Sequence, residues 1–76
     1  MEKRIITIMS KVFGIDELNI NESSSPDTIL QWDSLRHMQL IIALEKEFAI
    51  EIDGNRIEDM MNYSNIVKVI KELYCK

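Results

Sequence analysis

An all-α bundle is the fold class that this 76-residue sequence predicts, and three observations predict it. Four segments repeat apolar residues at helical spacing. Only Ala49 to Asp53 (AIEID) alternates like a strand, and no second segment offers it a pairing partner. A Ser- and Asn-rich stretch with the single proline separates the first two helical segments and cannot itself be one helix. The expected architecture has three main helices, a short third helix between the second and the last, and a long structured first loop. Residues 1–76 read as a single domain.

The first helix is expected over Glu2 to Phe13. Ile5, Ile8, Met9 and Val12 recur at i, i+3, i+4 and i+7, Ile6 and Phe13 widen the stripe, and Gly14 suits the C′ position. The connection from Ile15 to Asp33 is long for a compact domain, so it is either functional or hides further regular structure. Leu18, Ile20, Ile29, Leu30 and Trp32 make it too apolar for disorder, so all five are expected to pin it to the core. Ser25-Pro26-Asp27 starts a short turn. The second helix is expected over Ser34 to Phe48, followed by extended chain at 49–53 and a turn at Gly54-Asn55. Ile57 to Met61 forms a short helix at best. Asn62 or Ser64 caps the last helix, which buries Tyr63, Ile66, Val67, Ile70, Leu73 and Tyr74.

Composition excludes several functions. The formal charge is −4, from 13 acids and 9 bases, which disfavours nucleic-acid binding. The longest unbroken apolar run is Leu40 to Leu44, far short of a membrane span, and the N-terminal stretch lacks a signal-peptide pattern, so a soluble cytoplasmic protein is expected. Cys75 is the only cysteine, an incidental terminal thiol that permits neither an intrachain disulfide nor a zinc cluster. With one histidine, no Gly-rich phosphate loop and scattered acids, no metal site and no catalytic site are expected.

The second helix carries two apolar stripes. His37, Leu40, Ile41, Leu44 and Phe48 gather on one side as the core face. Leu35, Met38 and Ile42 form a second line roughly 120–130° away at about 100° per residue. Either the loop or the third helix covers that second line, or it is a docking strip, for which Met38 suits varied partners. Ser34 lies between the stripes at the helix start. Serine and aspartate are both favoured N-caps, so Ser34 or Asp33 serves that role. A nucleophilic role for Ser34 fails on inventory: His37 points along the core face, and neither an oxyanion loop nor a Gly-x-Ser-x-Gly elbow is present. Ser34 is better placed as a residue acted on by others, because a helix start favours an attached anion. Trp32 reads as an aromatic anchor of the loop, or as a wall beside whatever Ser34 carries. His37 reads as a partly buried residue bonded to loop backbone.

Asp33-Ser34-Leu35 at the start of an amphipathic helix, followed by LIIALEKEFAIEI (Leu40 to Ile52), resembles the acyl carrier proteins. Length, acidity, helix order, the long first loop and Leu-Glu-x-Glu-Phe at Leu44 to Phe48 extend the resemblance over the whole chain. The resemblance implies a four-helix carrier-protein bundle, monomeric and without enzymatic activity. In it a phosphopantetheinyl transferase, using coenzyme A and magnesium, attaches 4′-phosphopantetheine to Ser34. The arm's thiol then carries acyl or aminoacyl groups as thioesters from a loading ligase to downstream acceptor enzymes, and Asp33, Leu35, Arg36, Met38 and Ile42 match partner-binding positions. Typical fatty-acid carriers line the second helix with acids, whereas here Arg36 is the sole formal charge from Ser34 to Leu44, a like charge to any basic partner groove. The resemblance is therefore to stand-alone carriers of specialised pathways, such as surface polysaccharide or natural-product biosynthesis. The alternative is an unmodified carrier-fold module that only binds other proteins.

Overall fold

The computed structural model describes residues 1–74; Cys75 lies outside them. Four α-helices follow in order: α1 (Glu2–Phe13), α2 (Ser34–Phe48), α3 (Gly54–Asp59) and α4 (Tyr63–Tyr74). Among the described residues there is no strand, and none of these helices is long and apolar enough to cross a membrane. The all-α expectation holds, as do the bounds expected for α1 and α2.

Two arginines fix α1 against α2. Arg4, near the start of α1, bonds the Glu47 carboxylate (Nε–Oε2, 2.8 Å) and the Glu47 carbonyl (Nη2–O, 3.0 Å). Its guanidinium also lies 4.4 Å from the centre of the Phe48 ring. Arg36, on the first turn of α2, donates from Nη1 to the carbonyls of Val12 (3.2 Å) and Phe13 (3.4 Å). Those carbonyls belong to the last turn of α1, where helical partners run out and a cation suits the dipole. The start of one helix thus meets the end of the other, and the pair is antiparallel. Between them, Ile5, Met9, Leu40 and Leu44 are fully buried, and Ile66, Ile70 and Met60 close the core from α4 and its approach. Burying side chains of this size contributes about 1.5–3 kcal/mol each, before the entropy of ordering them.

The loop at 15–33 holds itself together with side chains. Asp16 Oδ1 accepts from Leu18 N–H (3.0 Å) and caps a short 3-10 turn, Glu17–Asn19, that the sequence reading did not anticipate. Asn21 Oδ1 accepts from Ser23 N–H (2.8 Å), Ser24 Oγ from Asn21 N–H (2.8 Å) and Thr28 Oγ1 from Ser25 N–H (3.0 Å). Short polar side chains therefore replace the backbone bonds a helix would have given. Ile20, Ile29 and Trp32 anchor the loop in the core. Leu18 and Leu30 do not: they are 89% and 91% exposed, because each turn that sends Ile20 or Ile29 inward sends its leucine out.

The third helix lies upstream of its expected place. Gly54 and Asn55 open α3 rather than forming a turn, and Met60 and Met61 fall beyond its end. The cause is Asp53, whose Oδ1 accepts from Arg56 N–H (2.9 Å) and starts the helix there. Arg56 then bridges Asp53 (3.4 Å) and Glu72 on α4 (2.8 Å). Of the two caps expected for α4, Asn62 serves, its Oδ1 accepting from Asn65 N–H (2.8 Å). Tyr74, expected to be buried, is exposed at the end of α4, where its ring meets Phe48 edge-on.

Both α1 and α2 end in a left-handed residue: Gly14 at φ 68° and Ala49 at φ 53°. An L side chain there costs about 1 kcal/mol or more. Ala49→Gly is expected to raise the melting temperature by about 4–8 °C, as about 1 kcal/mol does in a domain this small, and Gly14→Ala to lower it similarly. Thermal unfolding followed by circular dichroism checks both. Tyr63 gives a second test. Burial first, and then its bond to Glu2 (3.1 Å), push its phenol from the ordinary 10 up to about 12. The neutral phenol is the form the fold favours, so this contribution is complete below pH 10 and fades as pH rises to about 12. Denaturant midpoints should fall through that window in the wild type and flatten in Tyr63→Phe.

Candidate functional site

The start of α2 gathers the residues that the sequence singled out. Asp33 is the N-cap: its Oδ1 accepts from Arg36 N–H at 2.8 Å, and its carbonyl takes the first helical bond from His37 N–H at 2.8 Å. Ser34 is therefore not the cap but the first helical residue, with its side chain exposed. No hydrogen bond among the described residues uses its hydroxyl. The first amides of a helix have no partner within it, and Asp33 takes the one from Arg36. The Ser34 and Leu35 N–H groups are left at the positive end of the helix, beside an idle hydroxyl. Among the described residues the serine side chain has no structural duty.

Leu35, Met38 and Ile42 are 67%, 45% and 49% exposed. Neither the loop nor α3 covers them, so the second apolar stripe of α2 is open to solvent along two turns from Ser34. It runs toward a shallow depression lined by Ile42, Ile50 and Ile52, with Glu45, Lys46 and Glu51 around it. Ile50 and Ile52 are the apolar positions of AIEID, which sequence patterning marks only as extended chain. Arg36, grouped by sequence with the partner-facing residues, has its guanidinium on the α1 carbonyls instead. Asp33 is exposed at the head of the stripe while one carboxylate oxygen serves the cap.

Behind the turn sit Trp32 and His37, both buried. Trp32 packs on Phe13, ring centroids 5.0 Å apart, and its Nε1–H donates to His37 Nδ1 at 3.0 Å. An indole nitrogen can only donate, so Nδ1 is the acceptor and the proton lies on Nε2, which donates to the carbonyl of Ile57 at 2.9 Å. The expected part-burial of His37 with a bond to loop backbone is corrected: it is 5% exposed, and its backbone partner lies in α3. With both ring nitrogens engaged, His37 has none left to act as a base for Ser34. Trp32 is the anchor of the loop, buried behind the turn. Among the described residues no group of three or more His, Cys, Asp or Glu side chains could hold a metal ion.

Comparison with known proteins agrees with this geometry. The family model described as "Phosphopantetheine attachment site" matches residues 3–73. The solution NMR structure of a holo acyl carrier protein from Geobacter metallireducens is similar at 25% identity, with a TM-score of 0.83 over 93% of this chain and 82% of that one. The chain belongs to the phosphopantetheine-attachment family, whose members are carriers rather than catalysts and bear 4′-phosphopantetheine covalently. The acyl-carrier fold expected from the sequence is thereby shown.

The division of labour between Asp33 and Ser34 is testable. Asp33→Ala should cost about 1 kcal/mol through the lost cap. Ser34→Ala should stay within about 0.5 kcal/mol of wild type. Urea denaturation of the two variants measures both.

Proposed function

We propose that Ser34 bears the phosphopantetheine of this carrier and that its arm shuttles acyl or aminoacyl thioesters between the enzymes of a specialised biosynthetic pathway. The observation that supports Ser34 most is its placement. It is an exposed hydroxyl, unbonded among the described residues, on the first residue of α2, within Asp33-Ser34-Leu35 and at the head of an open apolar strip. Transfer from coenzyme A forms a bond between Ser34 Oγ and phosphorus as the pyrophosphate P–O bond breaks. The hydroxyl proton and the nucleoside bisphosphate depart. The new phosphodiester then lies at the positive end of α2, where negative charge is stabilised.

Leu35, Met38 and Ile42 form the docking strip in this reading, with Asp33 at its head. Partners are the phosphopantetheinyl transferase, a loading ligase and downstream acceptor enzymes, all in the cytoplasm, and the carrier works as a monomer. Its contribution is proximity: a tethered thioester meets each active site at high effective concentration. The specialised pathway, surface polysaccharide or natural product, is favoured by the strip's lack of acids. From Ser34 to Leu44 the only formal charge is Arg36, and that side chain is held on α1. A partner built to read an acidic helix would find nothing to pair with there.

Intact mass after incubation with coenzyme A, magnesium and a broad-specificity transferase tests the reading, with Ser34→Ala alongside. The wild type should gain one phosphopantetheinyl group and the variant none. No gain on folded wild type would favour an unmodified interaction module. Met38→Glu and Ile42→Glu should keep the fold and slow transfer about tenfold, as expected for a lost apolar contact. Unfolding of both would place the strip in the core.

A further inference from the structure

Three elements meet at one imidazole. Trp32 ends the first loop, His37 lies on the first turn of α2 three residues after Ser34, and Ile57 belongs to α3. The His37 ring takes a bond from Trp32 (3.0 Å) and gives one to the Ile57 carbonyl (2.9 Å). That carbonyl also accepts from Met60 N–H (3.2 Å) at the end of α3. His37 thus adds a second donor to a carbonyl that already has a backbone partner at the helix end.

Stability alone does not call for this arrangement. Trp32 already packs against Phe13, and replacing a buried polar pair by apolar groups of similar shape is close to neutral. What a satisfied polar pair adds is a single orientation. The Asp33 cap sets the backbone of this turn, and the bond between Trp32 and His37 is the buried side-chain link that ties the residues on either side of Asp33-Ser34-Leu35 to each other. The Ser34 hydroxyl makes no bond among the described residues, so its direction depends on how the backbone from Trp32 to His37 is held.

We propose that His37 is a positioning residue for transfer of the arm. Its bond to Trp32 fixes the Asp33-Ser34-Leu35 turn in the orientation that the transferase meets. Its bond to Ile57 holds α3 and lies outside that role. The inference rests on Ser34 as the attachment site.

Three substitutions separate the two bonds. His37→Gln keeps a donor near the Nε2 position for Ile57 and removes the acceptor for Trp32. Trp32→Phe removes the same bond from the other side and keeps an aromatic ring against Phe13. His37→Asn keeps an acceptor near the Nδ1 position for Trp32 and loses the donor to Ile57. The readouts are kcat and KM for transfer from coenzyme A, taken well below the melting temperature of each variant.

His37→Gln and Trp32→Phe should each lower kcat/KM about tenfold, the scale of one buried hydrogen bond. The double variant should lose no more than either alone, because both remove one bond. His37→Asn should stay within about threefold of wild type, even where its melting temperature falls. Wild-type rates in folded His37→Gln and Trp32→Phe would overturn the proposal. So would losses that follow melting temperature across all variants, or that add in the double variant, or unfolding of both single variants. A wild-type chain that accepts no arm would remove the Ser34 reading and this one together. Equal uptake by every variant would remove this one alone.

Discussion

An imidazole can be buried in a small core only if both of its nitrogens are satisfied, since an unpaired polar group there costs about 1–3 kcal/mol. In this protein the two partners come from different places: an indole at the end of the first loop and a carbonyl near the end of α3. The requirement therefore does more than fill space. It joins the two segments with least regular structure of their own to the first turn of the longest helix. The loop could not drift from α2 without stranding the indole N–H, and α3, only six residues long, gains a tether that its own length cannot provide. The junction lies directly behind Asp33-Ser34-Leu35, which the Asp33 cap also orders.

The same helix serves three neighbours without conflict because its faces are assigned by angle. Leu40, Ile41 and Leu44 enter the core. Arg36 reaches back to the α1 carbonyls. Leu35, Met38 and Ile42 remain outside. The withdrawal of Arg36 explains how a helix in an acidic protein presents a strip with neither sign of charge. The only formal charge from Ser34 to Leu44 is directed at the last turn of α1, where a partly buried guanidinium meets two helix-end carbonyls.

Much of this was legible in the residues. Periodicity and Gly14 delimited α1, and the Ser34 to Phe48 pattern gave α2 together with its two stripes. The acyl-carrier family was recognisable from the Asp33-Ser34-Leu35 stretch and its context, and the family match agrees. Local chemistry was harder to read. Asp33 and Ser34 are equally good caps by type, and only backbone geometry decides for Asp33. The start of α3 was missed because Gly54-Asn55 has turn composition, while the capping Asp53 one residue earlier outweighs it. Leu18 and Leu30 looked like anchors because side-chain type says nothing about which way a tight turn points. The contacts of Arg36 were not legible for a related reason: its partners are carbonyls far along the chain, and no sequence pattern marks a carbonyl as free.

The idleness of the Ser34 hydroxyl has a consequence for how such a carrier is read by other molecules. If Ser34 bears the arm, adding or removing it breaks no hydrogen bond among the described residues and asks for no rearrangement of the body on that account. Blank and loaded copies would then share one silhouette. An enzyme could not sort them by the shape of the bundle, and would have to inspect the arm itself. Spent or empty carriers would compete for the same docking strip as charged ones, so traffic along the pathway would be governed by the ratio of the two pools rather than by any signal from the fold.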